Sequence, residues 1–62
     1  MKKQDLIDAN EWFKVHNIQS FIHRNNTLYV VVDYDFELQL SNAETLYRAE
    51  EFRRLKEQDL IK

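Results

Sequence analysis

Residues 28–40 read LYVVVDYDFELQL, Leu28 to Leu40, and the alternation in that stretch decides the fold. Every even position is apolar (Leu28, Val30, Val32, Tyr34, Phe36, Leu38, Leu40), and from Asp33 onward every odd position is polar (Asp33, Asp35, Glu37, Gln39). Successive side chains of a strand point to opposite faces, so a period of two lays the even residues on one wall of a core and turns the odd ones to water. Fully extended, the segment would reach about 43 Å, well beyond the width of about 25–30 Å expected of so short a chain. It must fold back on itself, and Asp33-Tyr34-Asp35 is the natural place. A three-residue turn there keeps the parity and sets Val32 against Phe36, Val30 against Leu38 and Leu28 against Leu40. A two-residue turn would put Glu37 and Gln39 beside Val32 and Val30 and waste the pattern.

Upstream, the β-prone runs Ile18–Arg24 and Thr27–Asp33 flank the pair Asn25-Asn26, which predicts a hairpin with a two-residue type I′ turn. With Arg24 opposite Thr27, Phe21 would face Val30 and His23 would face Leu28 on the core side. Ile22 would meet Tyr29, and Ser20 would meet Val31, on the other. Further back, Gln4 to His16 reads as a helix with Leu6, Ala9 and Phe13 at helical spacing and Asp5 placed to cap its first turn. Asn17 tolerates the left-handed conformation that closes a helix, and Ile18 can fold back onto the last turn.

Downstream, Ser41-Asn42-Ala43-Glu44 matches a capping box, serine at the cap and glutamate three residues on. It opens a helix expected to run toward Leu60 with Thr45, Ala49, Phe52 and Leu55 as its apolar stripe. The sequence therefore predicts one α+β domain over residues 1–62: a helix, a three-stranded antiparallel sheet made of a hairpin and a third strand, and a second helix.

Composition narrows the function. The chain has 62 residues, a net charge of −2, and no glycine, proline or cysteine. Without glycine there is no phosphate-cradling loop of the Walker or dinucleotide type. Without cysteine there is neither a disulfide framework nor a thiolate metal site, which fits a reducing cytoplasm. The opening Met1-Lys2-Lys3-Gln4-Asp5 leads into an amphipathic stretch, unlike the apolar centre of a signal peptide, and no apolar run is long enough for a membrane span. Cytoplasmic location is the expectation, with no membrane contact.

His16 and His23 stand outside any metal-binding or catalytic spacing, and Asp33, Asp35 and Glu37 read as a solvated turn, since a calcium loop needs more oxygen ligands and usually a glycine. Ser20 and Ser41, the only serines, fall in a strand and at a helix cap. No nucleophile, base and orienting group combine. The expectations are no enzyme, no cofactor and no metal.

The second helix carries Arg48, Arg53, Arg54 and Lys56 near Tyr47, a set that would suit a nucleic-acid-binding regulator. Glu44 precedes Arg48 by four, Glu50 precedes Arg54 by four, and Arg53 precedes Glu57 by four, so helical pairing should absorb most of that charge. What remains is the sheet face opposite the core. Ile18, Ile22, Tyr29 and Val31 are expected there as a contiguous apolar patch, with Trp12 as a further anchor. So small a core gains from oligomerisation. The expected function is thus a protein interaction module, an adaptor or regulator, whose partner is another protein or a second copy bound through that face. A nucleic-acid regulator and a small subunit of a larger enzyme are the rivals.

Overall fold

The computed structural model describes residues 1–59. Its elements run α1 (Lys3–Val15), β1 (Ser20–His23), β2 (Thr27–Asp33), β3 (Phe36–Gln39) and α2 (Asn42–Glu57). The strands form an antiparallel sheet in the order β1-β2-β3. This is the predicted α+β arrangement; Leu60, toward which the second helix was expected to run, lies outside the described residues.

The helix ends follow local chemistry. Ser41 Oγ accepts a hydrogen bond from the Glu44 amide at 3.2 Å, as the capping box requires. Asn17 takes φ 60°, and the Ile18 amide reaches back to the Phe13 carbonyl at 2.8 Å, closing α1 in the left-handed manner. The start of α1 departs from expectation. Lys2 stands at its cap without a side-chain hydrogen bond, and Asp5 is engaged elsewhere.

Both helices stack on one side of the sheet. Leu6, Ala9 and Phe13 of α1, Leu28 and Val30 of β2, and Ala49 of α2 form the buried cluster, with Trp12, Ile22 and Leu40 packed against it. Thr45 and Phe52 complete the buried stripe of α2, as their spacing predicted. Ala9 and Ala49 are fully buried, the small side chains that let two helices approach closely.

The first hairpin corrects the expected register. A type I′ turn needs positive φ at both central residues, but of the asparagine pair only Asn26 adopts it, at 61°. The chain instead makes a loop of Arg24, Asn25 and Asn26, with the Asn26 amide bonded to the His23 carbonyl at 3.0 Å. His23 consequently pairs with Thr27, Ile22 with Leu28, Phe21 with Tyr29 and Ser20 with Val30. One residue of slip exchanges the faces of the whole strand. Ile22, expected on the outer face, joins the core, and Phe21, expected under the helices, lies outside with its ring stacked on Tyr29 at 5.5 Å.

The second turn is corrected in kind, and with it one of the expected pairs, since Asp33 rather than Val32 stands opposite Phe36. Tyr34 and Asp35 form a two-residue turn with Asp33 opposite Phe36, and a bulge at Val32 adds the extra residue. Parity is restored beyond it: Val30 pairs with Leu38 and Tyr29 with Gln39. The Leu40 amide bonds to the Leu28 carbonyl at 2.9 Å.

Candidate functional site

The helical layer does not reach across the sheet. It covers β1 and β2 and stops short of β3, every residue of which is exposed. Val30 is 6% exposed, yet Leu38, its partner across the ladder and therefore on the same face, is 48% exposed. Phe36 stands 57% exposed on that face, and Val32, the bulged residue, 54%. Two large apolar side chains, Phe36 and Leu38, thus extend the core face into solvent, while the bulged Val32 is exposed beside Val31. Alternation alone pointed to these residues as core. It reports which face a side chain takes, and only the width of the covering layer decides whether that face is dry.

β3 is also an edge. In an antiparallel pair the residues alternate between those bonded to the neighbour and those whose N–H and C=O point away. Leu40 bonds inward to Leu28, so Leu38 also points its backbone toward β2, and Glu37 and Gln39 present theirs to solvent. Natural edges are commonly guarded by lysine, proline or a covering loop. β3 has neither residue, and among the described residues no element covers it.

The residues singled out from sequence are dispersed. Tyr29 and Val31 lie on the outer face, half-buried, with Phe21 beside Tyr29 and the Tyr29 hydroxyl 3.5 Å from Gln39 Oε1. Ile18 is exposed in the connection after α1. Ile22 is on the opposite face, so it does not contribute to an outer patch. Trp12 is half-buried against the core, its ring stacked on His16 at 3.9 Å and the Arg48 guanidinium 4.1 Å above it. A cation held over an indole face is a stable packing unit.

Of the three helical pairings expected in α2, the ion pair of Glu44 with Arg48 forms, and those of Glu50 with Arg54 and Arg53 with Glu57 do not. Arg48 Nε lies 3.3 Å from Glu44 Oε1 but off the hydrogen-bonding direction, and it is buried with no hydrogen-bond partner. Arg53 does not pair with Glu57. It reaches across to α1, donating from Nη2 to Asp5 and from Nε to Asp8, each at 2.7 Å. Those hydrogen bonds, with Asp5 first, raise its pKa above the ordinary guanidinium value. Among the described residues Arg54 and Lys56 make no ion pair, and Lys56 lies 5.5 Å from the Phe52 ring. A hydrogen bond to Glu51, reinforced by that carboxylate's charge, pushes the Tyr47 hydroxyl up from its ordinary value.

His16 Nδ1 donates to the Trp12 carbonyl at 2.7 Å, and His23 Nδ1 lies 2.9 Å from Asn25 Oδ1. No group of three or more His, Cys, Asp or Glu side chains is placed to hold a metal among the described residues. No helix among them is long and apolar enough to cross a membrane. Comparison with models of known families, with curated proteins and with solved structures finds no match.

Proposed function

We propose that this protein is a small non-catalytic interaction module, an adaptor or regulator that joins protein chains through its sheet and self-associates by the same layer. The observation that carries the reading is the exposed apolar pair Phe36 and Leu38 on the open edge strand β3, beside the buried Val30. Burying such side chains is favourable at roughly 25 cal/mol per Å² of apolar surface, and a 62-residue fold has little core of its own to spare. The half-buried outer face of Phe21, Tyr29 and Val31 adds a second apolar surface that no helix among the described residues covers. A cytoplasmic place of action fits the cysteine-free chain. Nucleic acid is the weaker partner, because Arg53 and Arg48 are already engaged within the fold.

The test is capture from the native cell with the tagged chain, in the presence of nuclease, beside the variant Phe36→Ser combined with Leu38→Ser. Both side chains are about half in water, so circular dichroism should report an intact fold. The reading requires a protein, an untagged copy included, held by the parent and released by the variant. An identical set on both, or the loss of everything on nuclease treatment, would overturn it.

A further inference from the structure

We infer that the occupant of the β3 edge is a second copy of this chain, paired antiparallel through Leu38 on a two-fold axis to give a continuous six-stranded sheet. The inference rests on the interaction reading above and names its partner. Edge addition supplies main-chain hydrogen bonds, and the side chains decide the register.

The free backbone groups of β3 belong to Glu37 and Gln39. In a symmetric pairing centred on Leu38, Glu37 of each copy faces Gln39 of the other, so these groups meet as hydrogen-bonded pairs and satisfy one another on both sides of the axis. The side chains agree with the backbone. On the outer face each Glu37 carboxylate meets a Gln39 amide, an acceptor opposite a donor. On the helix side Leu38 meets Leu38, and Phe36 meets Leu40, so the exposed apolar row is completed by its own copy. Centring on Glu37 would place two carboxylates directly opposite each other, which is unfavourable. Centring on Gln39 would carry Phe36 past the strand, opposite Asn42 at the start of α2.

The axis stands perpendicular to the sheet, so the helices of both copies share one side and the two outer faces join into one surface. The Leu38 register also brings Asp35 of each copy beside Ser41 of the other, at the N-terminus of α2, where a negative charge is favoured.

Charge variants at two exposed positions read the register without touching the core. Gln39→Lys places a cation opposite each Glu37 and should tighten the dimer. Gln39→Glu places like charges opposite each other twice and should loosen it by about tenfold. Glu37→Lys combined with Gln39→Glu should restore it. The mass is measured by light scattering on gel filtration across concentration, with circular dichroism as control. Since the chain lacks cysteine, Leu38→Cys adds a covalent check. A non-hydrogen-bonded pair about 4.5 Å apart at Cα is within disulfide reach, so mild oxidation should link Leu38→Cys chains to each other and leave Glu37→Cys chains unlinked.

A parent that stays monomeric at about 100 μM, or a dimer indifferent to charge at residue 39, overturns the pairing. If the monomeric parent still loses a different protein with Phe36→Ser and Leu38→Ser, the interaction reading stands and only the second copy is excluded. If nothing depends on that patch, both fall.

Discussion

Arg53 shows how one side chain can organise a small fold. Helical spacing pointed to Glu57 as its partner, but across the helix interface it binds two carboxylates of α1 with two different nitrogens. A single planar fork serves both in a fixed geometry, whereas a lysine offers one compact, rotating ammonium. Its side chain is 42% exposed, so solvent screening holds the contribution to about 1 kcal/mol, and Arg53→Ala should lower Tm by about 4–8 °C. Arg53→Lys should recover less than half of that loss. The sign of the pH dependence follows from the direction of the shift. The folded state binds this proton more tightly than the unfolded chain, so the contribution persists through the neutral and mildly alkaline range and falls away on the alkaline side only as pH rises past the ordinary guanidinium range. The gap between parent and Arg53→Ala, measured by denaturant unfolding, should therefore be the same at pH 7 and pH 9. A gap that closes by pH 9 would mean that the stabilisation comes from some other group.

Among the elements, the first hairpin turns a difference of one loop residue into an exchange of faces. The register in the structure predicts that Ile22→Ser, which places a hydroxyl against the core, costs about 2–3 kcal/mol, whereas Phe21→Ser, which removes an aromatic pair from the outer face, costs about 1 kcal/mol. Urea unfolding of the two variants decides the matter, and the reverse order would support the two-residue turn. This is also where legibility in the sequence ends. Helix stripes, the Ser41 cap, the Asn17 stop and the parity of Val30 with Leu38 follow from local periodicity and side-chain chemistry, and all were readable. Whether Asn25 joins Asn26 at positive φ is a choice between two turns of similar propensity, settled by which residue of β1 fits beneath α1. The bulge at Val32 was equally hidden, because a two-residue turn with a bulge and a three-residue turn leave the same alternation behind.

For the molecule as a whole, the decisive quantity is the width of the helical layer relative to the sheet. Two helices packed against each other cover β1 and β2, and β3 is left with its apolar face and its backbone edge open. No sequence pattern carries that ratio, so Phe36 and Leu38 read as core although they stand half in water. Tyr29 and Val31 were found on the outer face as expected, whereas Ile22 was lost to the register. The central claim is that the open edge of β3 is the place of self-association, and residue-resolved amide hydrogen exchange of the parent protein as a function of concentration tests it most directly. The Leu38 and Leu40 amides, bonded inward to β2, should be protected at every concentration. Those of Glu37 and Gln39 should exchange freely in dilute solution and become protected as copies associate. Equal and rapid exchange of Glu37 and Gln39 at low and high concentration would contradict the account.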